Sequence, residues 1–167
     1  PLSGAPLPFA DDRAIVAQQF AIVSGNVFGA LRRIETRYAD AGGSSFPSAL
    51  VMEGNFVGVD AALDPIGPGA LGLILDTSAD APIVFGPDNV IRGVQGSALT
   101  IEGTGPVQVT RDSISGNGAG IVYTDTAPVA APVITLANRT RVEGTCSVPG
   151  RIEVFSDPGD QAEIYLG

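Results

Sequence analysis

The phrase Val23-Ser24-Gly25-Asn26 returns in this chain as Met52-Glu53-Gly54-Asn55 and as Ile114-Ser115-Gly116-Asn117. A fourth copy, Ile91-Arg92-Gly93-Val94, lacks the asparagine. An apolar residue, a spacer and then Gly-Asn, repeated along one chain, is typical of a solenoid, because every coil must turn at the same place. We therefore interpret Gly25, Asn26, Gly54, Asn55, Gly93, Gly116 and Asn117 as structural corners, with the three asparagines stacked on one another.

The spacing of the repeats indicates the length of one coil. Gly93 and Gly116 are 23 residues apart, and three short strands with three corners need about that many residues at roughly 3.3 Å per strand residue. Gly54 and Gly93 are 39 residues apart, which we attribute to an inserted excursion at residues 64–69. The sequence thus predicts an all-β chain, beginning with a right-handed parallel β-helix of about four coils whose inward side chains form aliphatic ladders.

The composition argues against several classes of function. The 167 residues include 18 acidic and 9 basic residues, for a net charge of −9, and every basic residue is an arginine. Nucleic-acid binding needs clustered basic residues, so we predict no nucleic-acid partner. The chain has no histidine, the commonest general base and metal ligand near neutral pH. No apolar run is long enough to span a bilayer, and we predict no cofactor, no metal and no membrane span.

Few charges, no lysine and abundant small polar residues favour an extracellular or cell-surface protein. The chain starts at Pro1 without a signal sequence, which we interpret as a processed start. Cys146 is the single cysteine, so no internal disulfide can form. We interpret it as a small apolar filler, with a disulfide between chains left open.

Four segments follow from the distribution of proline and of apolar residues. Residues 1–13, rich in proline, are predicted to form an extended arm. Residues 14–126 form the β-helix, with strand from Phe20 onward, a short helix allowed before it, and a surface strand or excursion at 30–41. Residues 127–132 form a stiff linker. Residues 133–167 alternate apolar with polar in short runs, which predicts a short antiparallel β-sandwich-like segment.

The chain resembles secreted bacterial proteins built from right-handed parallel β-helix repeats, of the pectate-lyase-like superfamily, that end in an immunoglobulin-like module. The stretches that carry the resemblance are Gly54–Ala61, Asn89–Gly93, Ser113–Ile121, Gly144–Cys146 and Val154–Asp157. It covers residues 20–167 and implies a surface protein, an adhesin or a sugar-acting enzyme. The related modules often carry a second cysteine after the first, which this chain lacks, and the rest of such a sandwich would follow Leu166.

An incomplete sandwich exposes an apolar face and unpaired edge strands, and each buried unsatisfied group costs about 1–3 kcal/mol. A β-helix also exposes the core of its first and last coils, and the sequence shows no evident cap at either end. We therefore predict a subunit of a self-assembling filament or surface layer, joined to copies of itself by head-to-tail and strand-addition contacts. The candidate contact residues are Leu2, Leu7, Phe9, Ile152, Val154, Ile164 and Leu166. The alternative is a fragment of a larger surface protein.

An enzyme acting on polysaccharides is the rival hypothesis, because such enzymes use paired acids on one face of a β-helix. The candidate residues are Asp60, Asp64, Asp76, Asp80 and Asp88, with Arg92 or Arg111 as an electrophilic partner. At an offset of 22 to 23 residues, no two of these acids occupy one position of successive coils. Glu102 and Asp125, 23 residues apart, come closest, and we interpret them as a surface pair near Tyr123. We predict no catalytic residues.

Two further kinds of binding site have weaker support. Aromatic residues that stack on glycans would be Tyr38, Phe46, Phe56, Phe85 and Tyr123, but aromatic residues in a solenoid more often fill its interior. A calcium ion would suit Asp157-Pro158-Gly159-Asp160, because closely spaced acids fit a hard cation. The same tetrapeptide is a good turn without metal, and we prefer the turn.

Overall fold

A computed structural model describes residues 13–17, 21–29, 33–36, 49–67, 70–77, 82–103, 105–124, 130, 132–147, 149, 151, 153–159 and 161–167. In these residues the chain forms 17 strands and no helix, so the predicted all-β class is confirmed. The strands are β1 (Arg13–Ala17), β2 (Ala21–Ser24), β3 (Val27–Phe28), β4 (Arg33–Thr36), β5 (Leu50–Glu53), β6 (Phe56–Val57), β7 (Leu73–Thr77), β8 (Ile83–Phe85), β9 (Val90–Arg92), β10 (Ser97–Gly103), β11 (Val107–Val109), β12 (Ser113–Ser115), β13 (Ala119–Tyr123), β14 (Val133–Ala137), β15 (Val142–Thr145), β16 (Phe155–Ser156) and β17 (Ile164–Tyr165).

Strands β1 to β13 form three parallel sheets. Sheet I contains β1, β4, β7, β10 and β13 in that spatial order, sheet II contains β2, β5, β8 and β11, and sheet III contains β3, β6, β9 and β12. Consecutive strands therefore belong to different sheets, and the chain visits the three sheets in rotation. We call one passage through the three sheets a layer. Strands β1–β3 are the first layer, β10–β12 are the fourth, and β13 follows the fourth.

The inward side chains of successive layers are in register. In sheet II, Val23, Met52, Phe85 and Val109 are successive partners. Exposure alternates along β5 and β7, as expected for strands with one face in a core. The buried cluster consists of Leu50, Met52, Val57, Ala70, Leu73, Leu75, Ile83, Phe85, Ile91, Val94, Ala98, Leu99 and Ile114. Each large side chain in it stabilises the fold by about 1.5–3 kcal/mol through burial.

The N-terminal part differs from the sequence prediction in two respects. The segment before Phe20 is not a helix but a strand, β1, which pairs in parallel with β4. Its β-branched residues Ile15 and Val16 favour a strand, and the pairing satisfies its backbone. Arg13, assigned to the arm, is the first residue of β1. The stretch 30–41 contributes strand β4, while the arm residues Leu2, Leu7 and Phe9 lie outside the described residues.

The repeated Gly-Asn phrase marks two different corners. Gly25 and Gly54 lie between strands of sheets II and III, whereas Gly93 and Gly116 lie between sheet III and sheet I. All four have left-handed φ values, from +60° to +72°. Because the backbone turns through a left-handed glycine at both corners, the same short sequence pattern occurs at both. The interval from Gly54 to Gly93 is therefore not one coil, and the prediction that treated these corners as equivalent is wrong.

The C-terminal part contains two antiparallel hairpins. Strand β14 pairs with β15, and β16 pairs with β17, in two separate two-stranded sheets. The predicted antiparallel pairing in 133–167 is thus observed, and the sandwich-like packing of these strands stays a prediction. Of the linker 127–132, only Ala130 and Pro132 are described. The described residues include no helix that could cross a membrane.

Candidate functional site

A ladder of polar side chains lines the corner between sheets II and III. The N–H and Nδ2 of Asn55 both donate to Asn89 Oδ1 at 2.9 Å, and Asn89 donates in the same two ways to Asp112 Oδ1 at 2.9 Å. Asn26 donates likewise to Asn55 Oδ1, at 3.0 and 3.2 Å. Asn55 and Asn89 are fully buried. The predicted stack of Asn26, Asn55 and Asn117 is therefore wrong in one member, because Asn117 lies at the other corner.

Each ladder residue follows a residue with left-handed backbone. The φ angles are +68° at Gly25, +60° at Gly54, +66° at Asp88 and +52° at Arg111. Glycine adopts this conformation freely, whereas an arginine does so only when its surroundings impose it. The ladder thus continues through Asp88-Asn89 and Arg111-Asp112, where the Gly-Asn phrase is absent. For this reason Asn89 and Asp112 were not predicted from the sequence as members of the ladder.

A signal that would have found them is present in the sequence. Each ladder residue is an Asn or Asp directly before a short strand of sheet III, namely β3, β6, β9 or β12. The intervals between successive members are 29, 34 and 23 residues. A search for one fixed period misses this pattern because the insertions between strands differ in length.

Asp112 ends the ladder with a carboxyl group in place of an amide. Its Oδ1 accepts from Asn89, and its buried Oδ2 has no hydrogen-bond partner. Burial raises the pKa of Asp112 to about 7, against the opposing effect of the hydrogen bonds from Asn89, and the nearby Asp88 carboxylate adds to the rise. The Nδ2 atoms of Asn55 and Asn89 also donate to backbone carbonyls one layer back, at 2.9 Å. A protonated Asp112 supplies a donor of the same kind.

A second, shorter ladder runs along the corner between sheets III and I. The Val94 N–H donates to Asn117 Oδ1 at 3.1 Å, and the Asn117 N–H donates to Gln161 Oε1 at 2.9 Å. Gln161 Nε2 returns a hydrogen bond to the Asn117 carbonyl at 2.9 Å. The side-chain oxygen of Gln161 therefore accepts the Asn117 N–H in the same way as the side-chain oxygen of Asn117 accepts the Val94 N–H. Gln161, however, lies in the C-terminal hairpin. We call residues 153–167, in which residue 160 is not described, the end segment.

Glu153 attaches the start of the end segment to the fourth layer. Its carboxylate accepts from the Thr110 hydroxyl and, at 2.8 Å, from the Arg111 N–H. The guanidinium of Arg151, which precedes the end segment, lies 3.3 Å from that carboxylate. The Glu153 side chain is 12% exposed, so these hydrogen bonds form in a largely desolvated place.

The hairpin itself bonds to strand β12. The Ile114 N–H donates to the Ala162 carbonyl at 3.0 Å, and Ser113 Oγ donates to the Glu163 carbonyl at 2.8 Å. The Glu163 carboxylate also lies 3.8 Å from the Arg92 guanidinium. The expectation that neither end is capped is thus corrected at this end, because the chain's own C-terminal residues satisfy backbone groups of the last full layer.

The end segment bonds to the polar groups of the fourth layer, but it does not fully cover the apolar interior. A cavity of about 80 Å³ remains beneath it, lined by Val109, Thr110, Arg111, Asp112, Ile114, Ile121, Phe155 and Ala162. Ile121 and Tyr123 are register partners of the buried Leu99 and Ile101, yet they are 37% and 41% exposed. An inward position that would be buried in the middle of the stack is therefore open to solvent here.

The opposite end of the stack is the first layer. Ile22 and Val27 are 58% and 49% exposed there. Asn26 begins the long ladder, and no donor among the described residues reaches its Oδ1. Strands β2 and β3 are the first strands of sheets II and III. Among the described residues, this edge has no cover of the kind that the end segment provides at the fourth layer.

The remaining predicted contact residues are in or near the hairpins. Val154 exchanges backbone hydrogen bonds of 2.8 Å with Leu166 and Gly167 inside the end segment, so its backbone is already paired. Ile164 and Leu166 are 55% and 63% exposed. Ile152 lies outside the described residues. Their role in assembly stays a prediction.

The β14–β15 hairpin is exposed along almost its whole length. Val133 and Ile134 are 61% and 63% exposed, and Val142 is 45% exposed. Cys146, which follows β15, is a free and exposed thiol. Its interpretation as a buried apolar filler is therefore wrong, because the hairpin gives it no core to enter.

The candidate acids are dispersed, with one exception. Asp60 caps its own loop by accepting the N–H groups of Ala62 and Asp64, at 2.8 and 3.0 Å. Asp76 and Glu102, however, are register partners on adjacent strands of sheet I. This pair was not predicted, because Asp76 and Glu102 are 26 residues apart, more than the assumed offset of 22 to 23 residues. Asp80 and Asp125 lie outside the described residues.

The other candidate residues have structural surroundings. Arg92 Nε donates to Ser115 Oγ at 3.1 Å. Phe85 is fully buried, whereas Phe56 is half-buried on the outer face of sheet III. Tyr38 and Phe46 lie outside the described residues. The aromatic residues that are described thus do not form one platform.

Asp157 organises the turn of the end segment. Burial alone would raise its pKa, but the backbone amides of Gly159 and Gln161 outweigh that effect and the pKa lies below its usual value. The Gly159 N–H is 2.6 Å from Asp157 Oδ1, and the Gln161 N–H donates to Oδ2. Asp157 thereby fixes the backbone of Gln161. Within the described residues no group of three acidic or cysteine ligands forms a metal site.

No protein-family model matches the sequence, and no curated protein or solved structure matches the chain. We therefore infer function from the geometry of the two ladders, the end segment and the exposed edges.

Proposed function

We propose that this chain is an extracellular structural protein that assembles with copies of itself end to end. Its architecture is a right-handed parallel β-helix followed by a short antiparallel module. The rotation of the chain through three parallel sheets supports the β-helix, since a helical path is the simplest one that returns to each sheet one strand further along. The low charge and the absence of lysine support an extracellular location.

The observation that supports the proposal most directly is the exposed last strand of sheet I. It begins with β1 and ends with β13, and the residues Ile121, Val122 and Tyr123 of β13 are 36% to 41% exposed. All strands of the sheet run in the same direction, so β1 of a second copy pairs with β13 without reversal. A contact between two different surfaces that does not close into a ring produces a filament. An exposed apolar edge strand is a template for such pairing.

Sedimentation velocity over a wide range of concentration, with negative-stain imaging, tests the proposal. We expect concentration-dependent oligomers and particles joined end to end. Val122→Lys places a charge on the edge of β13 and shifts the distribution towards monomer. Leu63→Lys places the same charge on an exposed loop residue far from this edge and is the matched control. A parent chain that stays monomeric at every concentration contradicts the proposal.

A second candidate is an enzyme or a binding protein for polysaccharides, and the register of Asp76 and Glu102 favours it. Neighbouring strands lie about 4.8 Å apart, which brings two acids within the range used by glycoside hydrolases. Incubation with acidic polysaccharides tests for new reducing ends or unsaturated products. Activity that is lost in Asp76→Asn and Glu102→Gln but kept in Glu53→Gln supports an enzyme, and binding without turnover supports a glycan-binding protein.

A further inference from the structure

We propose that the end segment is a pH-sensitive cover, which stays closed over Asp112 while that carboxyl group is protonated and opens when the group loses its proton. Opening uncovers the apolar side chains of β11 and β12 that line the cavity beneath the end segment. All the contacts involved lie within one chain. The end segment therefore opens and closes in this way whether or not the chain assembles with copies of itself.

Asp112 lies between two places at which the end segment is attached. Directly before it, the Arg111 N–H donates to the Glu153 carboxylate at 2.8 Å. Two residues after it, the Ile114 N–H donates to the Ala162 carbonyl at 3.0 Å. The backbone on both sides of Asp112 is thus bonded to the end segment. Breaking these two attachments brings water to the Asp112 carboxyl group, and a change at that group acts on both.

Asp112 and the end segment also line one cavity, of about 80 Å³, to which the end segment contributes Phe155 and Ala162. Asp112 is only 3% exposed, and no donor among the described residues reaches its Oδ2. A buried water needs two to four polar partners, but most of this wall is apolar and its Thr110 hydroxyl already donates to Glu153. The closed cavity therefore suits a neutral carboxyl group better than a carboxylate.

The charged groups near Asp112 do not compensate for its ionisation. Burial raises the pKa of Asp112 to about 7, the Asp88 carboxylate adds to the rise, and only hydrogen bonds from Asn89 and Thr110 oppose it. Arg151 and Arg92 lie beside carboxylates of the end segment, those of Glu153 and Glu163. The charged residues on the corner, on the preceding corner and on the end segment with its flank are Arg111, Asp88, Arg151, Glu153, Asp157 and Glu163.

Opening has the pH dependence of a group that holds its proton more tightly in the closed form. The pKa of Asp112 is about 7 when the end segment is closed, and water returns it towards 3.8 when the end segment is open. The ratio of open to closed form therefore rises by about tenfold per pH unit between these values, because the closed form holds one more proton. Above about pH 7 the ratio becomes constant, since Asp112 is then ionised in both forms.

Amide hydrogen exchange of the full chain at pH 4 to 8, corrected for the intrinsic exchange rate, measures this opening. We expect the corrected exchange of the Arg111 and Ile114 N–H groups to rise by about tenfold per pH unit up to about pH 7. The Val90 N–H, which donates to the Asn55 carbonyl at 2.8 Å inside the stack, exchanges more slowly at every pH because the layers stay together. Exchange at Val90 as fast as at Arg111 would mean unfolding of the whole chain and would overturn the proposal.

Two variants identify the group that titrates. Asp112→Asn places an amide in the same position, and we expect its exchange at Arg111 and Ile114 to be independent of pH. The control Glu153→Gln keeps an acceptor oxygen at the attachment and removes its charge, so exchange is faster at every pH but rises with pH as in the parent. A parent without the rise, an Asp112→Asn variant that keeps it, or a Glu153→Gln variant that loses it overturns the proposal.

Discussion

Asp112 accepts the N–H and the Nδ2 of Asn89 on one oxygen, at 2.9 Å in both cases, while its second oxygen is buried without a partner. Asn89 is bonded to Asn55 in the opposite sense, as acceptor, so the carboxyl group terminates a chain of amides. The charged groups near it are the Asp88 carboxylate, the Glu153 carboxylate bonded to the neighbouring Thr110, and the flanking Arg111. This position makes stability sensitive to pH.

Stability is expected to fall as pH rises from about 4 to about 7. In the folded chain Asp112 has a pKa of about 7, above its value of 3.8 in the unfolded chain. The folded state therefore holds the proton more tightly, and its advantage is lost as pH rises between these values. At about 1.4 kcal/mol per pKa unit, the loss is at most about 4 kcal/mol. Urea unfolding at pH 4 to 8 measures it.

The matched variants for this pH dependence are Asp112→Asn and Asp88→Asn. Asparagine at 112 supplies the donor at every pH, so this variant loses the Asp112 contribution to the slope and is more stable than the parent at pH 8. Asp88→Asn removes the same charge from an exposed corner residue, and it keeps most of the slope, because the Asp88 carboxylate is the smallest of the causes that set the pKa of Asp112. Equal slopes in the parent and in Asp112→Asn would show that Asp112 is ionised in the folded chain.

Substitution within the long ladder is expected to depend on position. Asn89→Ala removes the oxygen that accepts the N–H and Nδ2 of Asn55, and it leaves Asp112 Oδ1 with only the backbone N–H of residue 89 as donor. Because this place is fully buried, we expect a loss of about 2–4 kcal/mol in the free energy of unfolding. Asn26→Ala, at the exposed end, costs about 1 kcal/mol or less. Denaturation midpoints measure both. Similar losses at the two positions would show that burial does not determine the strength of the ladder.

Substitutions at Gly72 and Gly93 compare the cost of a steric clash with the cost of an unfavourable backbone conformation. A Cβ on Gly72 would lie 1.8 Å from the Ser97 carbonyl oxygen, so Gly72→Ala must move adjacent strands apart. We expect it to cost more than about 3 kcal/mol or to prevent folding. Gly93 has open space around it but a φ of +72°, so Gly93→Ala costs only about 1 kcal/mol. Circular dichroism during thermal unfolding separates the two, and a well-tolerated Gly72→Ala would contradict the close contact.

Phe85 and Phe56 are expected to differ in their contribution to stability. Phe85 is fully buried in the core, and Phe85→Ala removes a large side chain that nothing replaces, at a cost of about 3–5 kcal/mol. Phe56 lies on the outer face of sheet III and is half-buried, so Phe56→Ala costs about 1.5 kcal/mol or less. Chemical denaturation compares them. The reverse order would mean that the inward and outward faces of the strands are misassigned.

The exposed thiol gives a direct check on the C-terminal part. Cys146 is free and exposed, so we expect it to react completely with a thiol reagent in the native protein, without denaturant. Under oxidising conditions a disulfide-linked dimer forms, which non-reducing electrophoresis detects. Cys146→Ser is the control for both measurements. A thiol that reacts only after unfolding would show that another part of the molecule covers the end of β15.

Local patterns in the sequence were sufficient to predict most of the strands and their inward faces, although β1 was not among them. Short runs such as Leu73–Leu75, bounded by turn residues, bury alternate side chains wherever they pair, so the all-β class and the apolar ladders follow from residue type and spacing. The positive φ of Gly25, Gly54, Gly93 and Gly116 was also accessible, since glycine is the residue that turns this way without strain. The position of the end segment and the continuation of the ladder to Asn89 and Asp112 could not be predicted from local patterns.

By itself, the sequence determined where the chain extends and where it turns, because those preferences depend on a few neighbouring residues. Only the tertiary structure decided which turns lie at the same corner, and it did so through hydrogen bonds between residues 23 to 34 positions apart. It also decided that Gln161 stacks on Asn117 and that Asp112 ends a buried ladder. Glutamine and aspartate have no strong local preference for these places, and they lie there because the adjoining layer presents unsatisfied N–H groups that must be bonded when water is excluded.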